Sequence, residues 1–109
     1  IAMALAQKSE ILCLDEPTTY LDIYYQLELL ELVKQLNKQY GLTIVMVLHD
    51  INQAIRYSDH IILMKAGKII AEGAPRDVIT KEVIKEVYGV NSVFHEDEKL
   101  GLYMMPLSI

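Results

Sequence analysis

The sequence predicts an α/β fold built on a parallel-strand core, and three observations carry that prediction. Ile11-Leu12-Cys13-Leu14 is a short apolar run that stops at Asp15-Glu16-Pro17. Ile23, Leu27, Leu30, Val33, Leu36 and Tyr40 recur at helical spacing and make one apolar stripe. Leu42 to Leu48 is a second apolar run of strand length. Strand, helix and strand in this order form a βαβ unit, whose strands are parallel and whose crossover is right-handed.

Each element has a local reason. Continuous short apolar runs suit strands buried on both faces. Pro17 offers no N–H to a ladder and ends the first strand. Asp22 stands where an N-cap belongs, and Gly41 where a helix C-terminus favours positive φ. A short helix is expected over Ile51 to Tyr57 and a strand over Ile61 to Met64. Lys65-Ala66-Gly67-Lys68 reads as a turn into a return strand, Ile69-Ile70-Ala71. Pro75 can open a brief helical turn. Thr80 is placed to cap a helix from Lys81 to Tyr88, which Gly89 ends. Val93-Phe94 and Leu102-Tyr103-Met104 read as a hairpin around the polar Glu96 to Lys99. At the other end, Ile1 to Ala6 reads as the middle of a helix, without a cap or an initiator Met, and the chain is expected to be truncated there.

Composition sets the bounds. The 109 residues, 52% hydrophobic and 23% charged, suit one packed domain or a piece of a larger one. The formal net charge is −5 and the ten Lys and Arg are scattered, which speaks against a basic nucleic-acid-binding face. No apolar stretch approaches the ~20 residues that span a bilayer. Cys13 is the single cysteine, so a disulfide within the chain is impossible. A buried, inert thiol is expected there, in keeping with a reducing compartment.

Parallel strands bring their C-terminal ends to one edge, and ligands of open α/β sheets bind at that edge. The first strand delivers Asp15 and Glu16, the second His49 and Asp50. Adjacent strands lie ~4.8 Å apart, so these groups can reach one substrate if the strands pair. A carboxylate at Asp15 can help hold Mg²⁺ through water. Glu16 projects differently and can polarise an attacking water. A bare Asp-Glu-Pro is also what a solvated strand exit looks like, and His49 alone also reads as a structural or surface histidine.

The constellation is more specific than its parts. Leu14-Asp15-Glu16-Pro17-Thr18-Thr19-Tyr20-Leu21-Asp22 closely resembles the Walker B motif and following D-loop of ABC-type ATPases. His49, which follows an apolar strand and precedes Asp50, resembles that family's switch histidine. Ile1 to Ala6 is similar to the helix after the family's signature motif. The resemblance implies a P-loop NTPase-like core that begins just before the Walker B strand, with a C-terminal β-hairpin and small helices. Residues 1–109 would be the C-terminal part of one nucleotide-binding domain.

By this resemblance Asp15 would serve Mg²⁺ through water, Glu16 would orient or activate the hydrolytic water, and His49 would contact the γ-phosphate of ATP. Asp22 would belong to the loop coupling the two nucleotide sites of a homodimer, alongside its N-cap role. The sequence departs from the family in lacking the Gly-x-x-x-x-Gly-Lys-[Ser/Thr] phosphate loop, the glutamine loop and the signature motif. The chain alone is therefore expected to be inactive.

Val47-Leu48-His49-Asp50-Ile51-Asn52-Gln53-Ala54-Ile55-Arg56-Tyr57-Ser58-Asp59-His60 and Gly67 to Pro75 resemble importers of iron(III)-siderophores, haem or cobalamin. That implies ATP and Mg²⁺ as ligands, a second ATPase copy and transmembrane permeases as partners, no nucleic acid, and a peripheral place on the cytoplasmic face of the membrane. The alternatives are a non-transport ABC ATPase and an importer ATPase for another substrate class. The family's phosphate-loop strand would lie between Leu42–Leu48 and Ile61–Met64. Its absence predicts an open strand edge, filled by another chain.

Overall fold

The computed structural model describes residues 2–6 and 11–109, with backbone alone for 2–6. The chain divides into two compact units, Ile1–His49 and Asp50–Ile109.

The first unit contains the expected βαβ motif. Strand β1 (Ala2–Ala6) is followed by β2 (Ile11–Asp15), helix α1 (Ile23–Tyr40) and β3 (Thr43–Val47), and the sheet order is β1-β2-β3. β2 and β3 are parallel, with Ile11 opposite Thr43 and Asp15 opposite Val47. Gly41 ends α1 at φ 63°, and the Asn37 side chain donates to the Leu42 carbonyl at 2.8 Å, fixing the exit into β3. Leu12, Leu14 and Val33 are buried together, with Leu36, Leu42, Ile44 and Met46 packed against them, and Leu30 is fully buried.

Four expectations are corrected here. Ala2–Ala6 is a strand, antiparallel to β2 with Ala2 opposite Asp15 and Ala6 opposite Ile11, where a helix was predicted; Ile1 lies outside the described residues. A helix this short is unstable alone in water, whereas the β2 edge offers a row of backbone groups to pair with. The β2 and β3 strands are buried on one face, not both. Side chains alternate along a strand, and α1 covers only the face bearing Leu12, Leu14, Ile44 and Met46. Cys13 lies on the opposite side with Val45 and Val47, and all three are exposed, so the expected buried thiol is an exposed one. The fourth correction concerns the α1 stripe, which is only partly used: Leu30 and Val33 are buried, while Ile23, Leu27 and Tyr40 are exposed. Asp22 is the N-cap residue of α1, as expected, with extended backbone and no side-chain capping hydrogen bond.

The second unit follows the predicted elements closely. It contains α2 (Ile51–Tyr57), β4 (Ile61–Lys65), β5 (Lys68–Gly73), α3 (Pro75–Val78), α4 (Lys81–Tyr88), β6 (Asn91–Asp97) and β7 (Gly101–Ser108). β4 and β5 form one antiparallel hairpin, and β6 and β7 another. The first turns at Ala66 and Gly67, both at positive φ (51° and 77°), the pairing that tight hairpins need. Thr80 caps α4 as predicted, its Oγ1 accepting from the Val83 N–H at 3.2 Å, and Gly89 ends it at φ 71°. The core joins Ile55, Ile61, Leu63, Val78, Ile79, Ile84 and Met104. Among the described residues no helix is long and apolar enough to cross a membrane.

Candidate active-site edge

The polar groups at the C-terminal edge of β2 and β3 are held by backbone geometry. Asp15 is the last residue of β2, level with Val47 in β3, and is exposed. The Glu16 N–H donates to the Val47 carbonyl at 3.1 Å, so the parallel ladder runs one residue past β2. There the chain turns sharply. Glu16 adopts φ 49°, a left-handed conformation that costs a residue with a Cβ about 1–2 kcal/mol. This departure from strand geometry swings the Glu16 side chain off the alternating pattern that places Asp15. Such strain is retained where the surroundings enforce it, and it concentrates at functional sites.

The surroundings here are specific. Pro17 is fully buried and Thr18 is buried beside it. Successive turn bonds follow, from the Thr19 N–H to the Glu16 carbonyl at 3.2 Å and from the Leu21 N–H to the Thr18 carbonyl at 3.3 Å. Gln26, on the first turn of α1, donates from Nε2 to the carbonyls of Thr18 and Leu21 at 3.2 and 3.0 Å. One side-chain amide thereby ties the loop at two points. The sequence reading did not single out Gln26. A glutamine just after an N-cap is unremarkable in pattern, and its partners are backbone atoms.

His49 is the last residue of the first unit, two positions beyond β3. Its Nε2 hydrogen-bonds the Glu16 Oε1. Both side chains remain open to solvent, 73% exposed for His49 and 42% for Glu16. The structure therefore brings Asp15, Glu16 and His49 to one edge, as the parallel pairing predicts. Asp22 stands apart from this trio at the head of α1. Asp50, the fourth polar residue expected here, is instead engaged as the cap of α2, its Oδ1 accepting from the Gln53 N–H at 3.1 Å. Chemically, the edge offers a carboxylate positioned by a strained backbone, a histidine bonded to it, and a second carboxylate facing solvent. Among the described residues no cluster of three or more His, Cys, Asp and Glu could enclose a metal. A cation at Asp15 would take its other ligands from water and bound phosphate, as Mg²⁺ commonly does.

A parallel βαβ core of this kind fits a P-loop NTPase fold, and solved structures superpose on the chain accordingly. A metal-chelate type ABC transporter in an inward-facing conformation superposes with a TM-score of 0.81, covering 90% of this chain and 40% of that one at 24% identity. A dimeric ATP-binding cassette in a post-hydrolysis state with ADP and Pi gives a TM-score of 0.57 at 39% identity, covering 62% of this chain and 28% of that one. No protein-family model matches.

The curated relatives are more specific. The chain is 50% identical to the ferric enterobactin transport ATP-binding protein of Escherichia coli, over 93% of its own length. It is 51% identical to a petrobactin import ATP-binding protein of Bacillus anthracis and 48% identical to the iron(3+)-hydroxamate import ATP-binding protein of Bacillus subtilis, over 91% of its length in each case. The chain's homologues near 50% identity are thus ABC-type ATP-binding proteins of siderophore and iron-hydroxamate import. The chain spans 37% of the length of each of these three relatives.

Proposed function

We propose that this chain carries the hydrolytic edge of an ATPase that powers import of a metal chelate, with an iron(III)-siderophore favoured. The observation that carries the reading is the Glu16–His49 hydrogen bond at the C-terminal edge of a parallel strand pair. Its support is the run of siderophore-import relatives near 50% identity.

In this reading Glu16 accepts a hydrogen bond from the attacking water and aims it at the γ-phosphorus of ATP. Water adds in line, the bond to the ADP oxygen breaks, and ADP and inorganic phosphate leave. Charge spreads over the phosphoryl oxygens, so positioning and electrostatics do most of the work. His49 donates from Nε2, which bonds Glu16 here, and the same N–H can serve a γ-phosphate oxygen. Asp15 would hold Mg²⁺ through water, and the ion would neutralise phosphate charge. Asp22 is assigned to coupling between two cassettes in a homodimer, which would dock on transmembrane permeases at the cytoplasmic face of the membrane. The phosphate-gripping loop is not in these 109 residues, so hydrolysis belongs to a complete cassette containing them. In the same way, the open edge of β3 would be covered by a further chain or segment.

The test is steady-state ATP turnover and ferric-siderophore uptake by vesicles holding the complete cassette with its permeases. His49→Ala should lower both by about tenfold or more while nucleotide still binds. Turnover without chelate uptake would reject the transport assignment, and unchanged turnover would reject the role of His49.

A further inference from the structure

Glu16 holds a left-handed backbone conformation, φ 49°, that a residue with a Cβ does not take without a cause. On its N-terminal side the cause is the sheet, because the Glu16 N–H is bonded to the Val47 carbonyl of β3 at 3.1 Å. On its C-terminal side the backbone bonds are weaker. The Thr19 N–H reaches the Glu16 carbonyl at 3.2 Å and the Leu21 N–H reaches the Thr18 carbonyl at 3.3 Å, at or beyond the long end of the usual range. Tyr20, in the same loop, is a second residue at positive φ, 69°, and its fully exposed side chain adds no packing to hold it.

Gln26 supplies what these bonds lack. Its own backbone is fixed in α1, where its N–H donates to the Asp22 carbonyl at 2.9 Å. The helix is in turn seated on β2 and β3 through Val33 and Leu36. From there Nε2 donates its two hydrogens to the carbonyls of Thr18 and Leu21, at 3.2 and 3.0 Å, and both bonds are partly buried. The Thr18 carbonyl, which the Leu21 N–H also reaches, is thereby held from two directions. Loop, helix and sheet all belong to the first unit, so the connection from Gln26 to Glu16 runs within one compact body.

We propose that Gln26 is a positioning residue for Glu16: by bridging the carbonyls of Thr18 and Leu21 it holds the loop on the path that keeps Glu16 left-handed, and so aims the carboxylate. With the bridge gone, Glu16 can relax toward extended backbone, which returns its side chain to the alternation of the strand. Gln26 has this role only if Glu16 acts on the hydrolytic water as read above. A shift of about an ångström in a reacting group costs on the order of a hundredfold in rate, so a loosened loop should be visible in turnover.

The experiment is a double-mutant cycle in the complete cassette, with Gln26→Ala and Glu16→Gln alone and together. Gln26→Ala should lower kcat about tenfold while the ATP dissociation constant stays within about twofold. In the Glu16→Gln background it should cost less than about twofold, because the carboxylate it aims is gone. Gln26→Glu keeps the shape of the side chain but removes both donors, and should lose as much as Gln26→Ala. If one of these two variants fails to fold, the other carries the cycle. Equal proportional losses in both backgrounds would show that Gln26 acts on turnover by another route, and would overturn the proposal. So would full activity of either variant, or a cassette that fails to fold with both, which would assign Gln26 to stability alone. If Glu16→Gln itself leaves turnover intact, the reading of Glu16 falls and this proposal with it. A large loss in Glu16→Gln beside equal proportional losses from Gln26→Ala rejects the proposal and leaves that reading standing.

Discussion

The Nε2 of His49 is hydrogen-bonded to the Oε1 of Glu16, joining two side chains 33 positions apart. The contact depends on backbone, not on side-chain reach. The in-register pairing of Asp15 with Val47 and the bond from the Glu16 N–H to the Val47 carbonyl bring the two strand exits level. A one-residue slip of β3 would carry Ile44 and Met46 out of the core and break the site in the same step.

Packing in the first unit turns on Leu30, which is fully buried. Leu30→Ala should destabilise the fold by about 2–5 kcal/mol, the range for truncating a buried leucine. Denaturant unfolding checks it, and Leu32→Ala, at an exposed position on the same helix, is the control expected to change little.

The cap of α4 makes a smaller and separate contribution. Thr80→Ala removes the acceptor for the Val83 N–H and should cost about 1 kcal/mol, while Thr80→Ser should restore most of it. The difference between the two variants in thermal midpoint isolates the hydroxyl from the methyl group.

The C-terminal hairpin should respond to acid. The hydrogen bond from Arg76 holds the Glu96 carboxyl below its ordinary pKa of 4.5, and the backbone N–H groups of Leu100 and then Lys99 do the same for Asp97. A folded-state pKa below the unfolded one means that the contribution is complete above the unfolded value and is lost as pH falls through the folded one. Stability should therefore decline as pH drops below about 4.5, with a modest slope because these groups are solvent-exposed. Arg76→Ala should flatten the Glu96 part of that slope, measured as unfolding midpoint against pH. A slope unchanged by the substitution would remove the Arg76–Glu96 pair from the account.

The 109-residue chain should show no saturable Mg-ATP binding by calorimetry. The backbone N–H cradle that a phosphate loop provides is not among its residues. A micromolar dissociation constant would mean that the edge of β2 and β3 grips nucleotide without such a loop.

Much of this was legible in the sequence because it depends on local chemistry. Gly41, Thr80 and Gly89 mark helix ends by conformational freedom or by a cap, and Lys65 to Lys68 marks a turn, all of which need only neighbours in the chain. The parallel pairing followed from the order of elements, and the shared edge of Asp15, Glu16 and His49 followed from the pairing. What was misread depends on partners distant in sequence. Ala2–Ala6 has residues that suit a helix, but the free edge of β2 recruits it as a strand. Cys13 lies in an apolar run that reads the same whether one sheet face is covered or two, and only the position of α1 distinguishes them. Gln26 was invisible as an anchor because it binds backbone carbonyls, which leave no side-chain signature.

The central claim is that Glu16 acts on the hydrolytic water, and one substitution in the complete cassette tests it most directly. Glu16→Gln keeps the size and a hydrogen-bonding end but removes the charge that polarises water. Steady-state turnover should fall by about a hundredfold or more, on the scale of general-base effects, while the ATP dissociation constant stays within about twofold. Turnover within a few-fold of the unsubstituted cassette would contradict the claim and leave Glu16 as a residue that shapes the turn after β2.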